Sequence, residues 1–295
     1  MKYNKVIKQL NKNYVSSIKR IKVRLEIDND RFLNNYHDKC ELSDVPRPFL
    51  PESKYLDFLL HYISIDIDVN QFSEAASLGV RFSELTNHYV KSRGFTRKDE
   101  SQMLGLNASW KWIIIGLLIE EESDWKIQRF ICFFEKDYEI EHKFDVEFLN
   151  FIYVLFKKYR GEKVRKEYVE KVGRFLELLP LLEDYTNISN VLDDYLMQRI
   201  IKADEMMNTG KNDDYEFLTN AFNSIMPLEI LLLIKVIEKT YDVKIDYDND
   251  YLKKVFWEKV HFQPNLNNDI ANKYEGLIRK CYLENGLNYD SFDND

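Results

Sequence analysis

Glycine and proline are scarce in this chain. Nine glycines and six prolines serve 295 residues, against nineteen Phe, nineteen Tyr and four Trp. Tight turns and phosphate-cradling loops need glycine, and proline stops helices, so their shortage excludes a turn-rich architecture and favours long helices with large side chains on one stripe. The glycines are scattered singly, and neither GxGxxG nor GxxxxGK[ST] occurs, which argues against the common nucleotide-binding folds. Alternating Val/Ile/Thr runs bounded by turn dipeptides are missing as well, so no substantial sheet is expected. No period of 20 to 50 residues marks a consensus solenoid.

Long apolar runs are also lacking. The longest, 112–119, is interrupted by Gly116 and falls far short of the roughly 20 residues that span a bilayer, so no stable membrane insertion is expected. Lys2 to Arg24 hold eight basic residues with no acid before Glu26, but no apolar core or small-residue cleavage site follows, and no secretory signal is read. Cys40, Cys132 and Cys281 lie far apart and cannot all pair within one chain, which fits a reducing, cytoplasmic setting.

What remains is helical periodicity. Tyr3, Ile7, Leu10, Tyr14, Ile18, Ile21 and Leu25 define an amphipathic first helix with lysines mostly on its other face. Prolines 46, 48 and 51 form an ordered connector. Ala75, Leu78, Phe82, Leu85 and Tyr89 mark a long helix in which Ala76 and Gly79 allow a neighbour to approach closely. Residues 110–122 are apolar on most sides and should sit centrally; 125–134 follow as a helix and 135–143 as a loop. A second block starts at Phe144, Phe148, Ile152, Leu155 and Tyr159 and continues through 169–182 and 191–207. Pro227 suits a first helical turn, and 228–237 is the expected centre of the second half. Further helices fall at 255–262 and 270–283. The expected fold is all-α, an array of packed antiparallel helices, with an N-terminal region at 1–142 and a C-terminal region at 143–295 giving room for two lobes.

Local chemistry is sparse. His37-x-x-Cys40 has no second ligand pair, and Glu139-x-x-His142 is half of a di-iron motif without its other half. Asp246-x-Asp248-x-Asp250 opens like a calcium loop, but Tyr251 stands where glycine should turn the chain and Trp257 where a bidentate glutamate should close it. That segment reads as an acidic loop before a helix, capped by Asp248 or Asp250. Five isolated histidines, at 37, 61, 88, 142 and 261, form no local signature with a serine or cysteine. Adjacent acids such as Asp193-Asp194 and Asp204-Glu205 read as a solvated face. No metal, cofactor or catalytic residue is expected, although a carboxylate or histidine site assembled in space stays open as an enzymatic alternative.

Charge is uneven along the chain. Residues 1–40 carry ten Lys/Arg against four Asp/Glu; the remaining 32 basic and 46 acidic residues leave a body of −14 within a net charge of −8. An acidic body repels nucleic acid and attracts cationic surfaces, so a basic protein is the favoured partner.

One resemblance narrows this reading. The order 169–182, then Leu192-Asp193-Asp194-Tyr195-Leu196, a polar interruption, Tyr215, an apolar helix with Met226-x-x-Glu229, and an Asp-rich loop before Tyr251 resembles the C-terminal region of bacterial immunity proteins that neutralise polymorphic nuclease effectors. Residues 55–95, with the acidic turn Asp66-Ile67-Asp68, resemble that family's N-terminal helix pair. Met226 stands where the family carries an aromatic residue, and Ile230 to Leu233 replace small ones. The resemblance implies a cytoplasmic antitoxin that binds a cognate toxin, occupying its basic substrate groove. Asp242, Asp246, Asp248, Asp250, Glu120, Glu121 and Glu122 are the expected contact residues. The alternative from another class is a helical-repeat scaffold that binds a peptide or protein in a groove.

Overall fold

Apolar and aromatic residues recur every three to four positions through most of the chain, and among the described residues the backbone follows that period. A computed structural model describes residues 76–81, 83, 106–118, 124–136, 146–209, 226–249, 252, 269–284 and 286. Among them every regular element is helical and none is a strand, so the protein is all-α. After a helical stretch at 76–81 come α1 (Leu106–Leu118), α2 (Asp124–Lys136), α3 (Val146–Tyr159), the short α4 (Lys166–Val169), a 3-10 segment (Gly173–Leu182), α5 (Ile188–Thr209), α6 (Leu228–Tyr241) and α7 (Asp269–Glu284). No helix among the described residues is long and apolar enough to cross a membrane.

The chain divides into two compact units. One contains α2 through α6; the other contains the 76–81 stretch, α1 and α7. The boundary read from sequence at 142/143 lies outside the described residues, and α2 before it packs on α3 after it.

In the first unit α3 is the central element. It packs against α2, α4, the 3-10 segment and α6, and every residue from Phe148 to Phe156 is buried. The spacing of Phe148, Ile152 and Leu155 marks the helix, but burial extends to every residue between them because neighbours surround this part of α3. Aromatic rings make the joints. Phe134 stacks on Tyr153 with centroids 4.7 Å apart, and Phe130 meets Phe156 edge-on at 5.1 Å, which fastens α2 to α3. Phe175 of the 3-10 segment stacks on Phe151 at 4.8 Å and lies 6.1 Å from Tyr195 of α5. Such pairs add about 0.5–1.5 kcal/mol each beyond the area they bury. Helix α6 has the expected central character, with 228–234, 236 and 237 all buried.

The stretch 169–182 is not one α-helix. Gly173 takes φ +52° and Pro180 lacks the N–H that an α ladder needs, so the chain tightens into 3-10 turns. Glu147 explains the glycine. Its carboxylate lies over Gly173, where a Cβ would overlap it, and accepts the Arg174 backbone N–H at 3.1 Å.

In the second unit the expected close approach is present. Gly79 lies so close to the six-membered ring of Trp112 that a Cβ there would overlap the indole, and Ala76, Leu78 and Val80 are buried. Residues 110–118 of α1 are buried throughout. Arg81 pairs with Glu275 of α7, which ties the 76–81 stretch to that helix.

Candidate functional site

Two acidic systems meet on α5 and α6, and burial separates them. On the inner side, Arg199 and Glu229 are 0% and 1% exposed and form an ion pair, Arg199 Nε donating to Glu229 Oε1 at 2.6 Å. The guanidinium also donates from Nη2 to the Met226 carbonyl at 3.1 Å, and the Tyr195 hydroxyl donates to Glu229 Oε1 at 3.3 Å. A charge this deep is costly unless paired and hydrogen-bonded, and here the side chains of α5 meet that need at the first turn of α6. The Met226-x-x-Glu229 segment is therefore a structural clasp between two helices.

On the outer side, the residues after α6 form an extended strap. Asp242 ends the helix in the left-handed conformation, φ 53° and ψ 47°, a position that favours glycine and tolerates Asp or Asn. Its N–H and that of Val243 both donate to the Glu238 carbonyl. From there burial alternates: Ile245 and Tyr247 are buried, while Lys244, Asp246 and Asp248 are exposed. A period of two in an extended chain puts Asp246 and Asp248 on the same, outer side.

The strap is held down at both ends. The Ile245 N–H donates to Glu238 Oε1 at 3.1 Å, and the Tyr241 hydroxyl donates to the carbonyls of Leu182 and Glu183. At the far end one carboxylate oxygen, Asp193 Oδ1, accepts both the Tyr247 hydroxyl and the Asn249 side-chain amide at 2.6 Å. Burial, followed by the neighbouring Asp193 carboxylate, pushes the Tyr247 hydroxyl well above its ordinary range and keeps it a donor. Asn249 also accepts the Leu252 N–H at 3.3 Å, an N-cap contact of the kind expected from Asp248 or Asp250.

The outer face of α5 completes the patch. Asp193, Asp194, Met197 and Gln198 are exposed on it, and Met197 is 60% exposed. Asp193 and Asp194 stand one helical turn from Met197, within side-chain reach. Of the contact residues read from sequence, Asp242, Asp246 and Asp248 lie exposed on one strap; Asp250, Glu120, Glu121 and Glu122 lie outside the described residues. Asp193 was read from sequence as part of a solvated pair and of the segment that carries the resemblance, not as a contact residue, yet it anchors the strap. The signal was the alternation of Val243, Ile245 and Tyr247 with Lys244, Asp246 and Asp248.

A third charged cluster ties α2 to α3. Tyr153 donates to Glu135, Lys157 lies 3.2 Å from Glu135 and 2.7 Å from Glu162, and Arg160 reaches Glu162 and Asp124 at 2.6 Å. Burial pushes Glu135 up, but the hydrogen bonds of Tyr153 and Lys157 outweigh it and hold the carboxyl below its ordinary range. Hydrogen bonds from Lys157 and Arg160 depress Glu162 likewise. These groups are satisfied by one another and offer no open chemistry.

The five histidines, the His37/Cys40 pair and the Glu139/His142 pair lie outside the described residues. Among the described residues no three His, Cys, Asp or Glu side chains group to hold a metal ion. No family model, curated protein or solved structure matches the chain.

Proposed function

We propose that this protein is an immunity protein that binds a basic antibacterial toxin, a nuclease by the resemblance, and blocks its substrate groove with an acidic surface. The observation that carries this reading is the strap beside α5, which presents Asp242, Asp246 and Asp248 outward next to Asp193 and Asp194. Rigid placement matters, because acids already held in position lose little entropy when a cationic surface meets them. The net charge of −8 adds long-range attraction for a basic partner and repels nucleic acid. Inhibition by occlusion needs no catalytic group. Within the first unit, four elements packed around α3 form one core, not a row of stacked helix pairs.

The test is co-expression with the C-terminal domain of the protein encoded immediately upstream. Rescue of growth, with a complex that survives gel filtration, is the expected result. A toxic upstream domain that is neither bound nor neutralised would overturn the reading.

A further inference from the structure

No further inference is drawn: the strongest candidate, the basic run at 157–174 that leaves the end of α3 and passes through α4, carries nothing because Lys157, Lys158, Arg160, Arg165, Lys166 and Arg174 are each already paired with a carboxylate of the same unit.

Discussion

Glu229 and Asp193 carry the same charge on two helices joined by one arginine, yet they do opposite work. Glu229 is buried, takes a guanidinium and a tyrosine hydroxyl, and locks α6 to α5. Asp193 is exposed, takes the neutral donors Tyr247 and Asn249 and no cation among the described residues, and keeps its negative charge on the surface. Neutral donors position a carboxylate without cancelling its field, whereas a cation cancels it. An acid's partner, more than its presence, therefore separates structural carboxylates from those available to another protein.

The comparison breaks most visibly at its buried end. Glu229→Ala leaves the Arg199 guanidinium buried without its carboxylate, and should cost about 3–5 kcal/mol in a urea unfolding curve. The double change Arg199→Met/Glu229→Leu should recover most of that loss; recovery of none would mean the two charges do not compensate each other.

Glu147 tests the intermediate case of a carboxylate used as a lid on a backbone turn. Gly173→Ala puts a Cβ into that carboxylate at φ +52°, and should cost about 1–3 kcal/mol by thermal melting. Glu147→Ala combined with Gly173→Ala should cost less than the two changes added together, because the overlap is gone.

The α2/α3 cluster sharpens the contrast through pH. Glu135 and Glu162 are depressed in the folded protein relative to about 4.3 in an unfolded chain. Their contribution is then complete above that value and is lost as pH falls through the lower folded values. Both side chains are about a third exposed, so screening holds the effect to on the order of 0.5 kcal/mol each. Stability measured from pH 6 down to 3 should fall less in Glu135→Gln/Glu162→Gln than in wild type. An equal acid slope in both proteins would remove these two groups from the account.

Tyr247→Phe makes the smallest change. It removes one donor from an exposed carboxylate that water can solvate, and should cost about 0.5–1 kcal/mol. Proteolysis within 242–249 should become faster, since the strap loses one of its two bonds to Asp193.

Much of the scaffold was legible in the sequence. The apolar blocks at 110–122, 125–134 and 270–283 correspond to α1, α2 and α7, and Pro227 stands at the entrance of α6 as its missing N–H allows. Gly79 announced a close approach, and Trp112 makes it. The 3-10 segment was not legible, because a run of Leu and Phe around Pro180 has helical spacing and the tightening depends on Glu147 from a distant helix. The site was half legible. Acid clustering pointed to Asp242, Asp246 and Asp248, but Asp193 is tied to the strap by contacts 54 and 56 residues apart in sequence, which no local pattern reveals. Arg199 was likewise missed: it falls on the buried stripe of Leu192, Tyr195, Leu196 and Ala203, but an arginine at such a position is ordinarily expected to reach solvent.

The central claim is that the outer acids bind while the inner one holds the fold. The most direct measurement co-expresses the C-terminal domain of the protein encoded immediately upstream, the proposed toxin, and compares growth rescue by wild type and by Asp194→Lys/Asp246→Lys, with each protein's unfolding midpoint measured alongside. The account predicts an unchanged midpoint and lost rescue. Full rescue by the charge-reversed protein, at the same expression and stability, would contradict it.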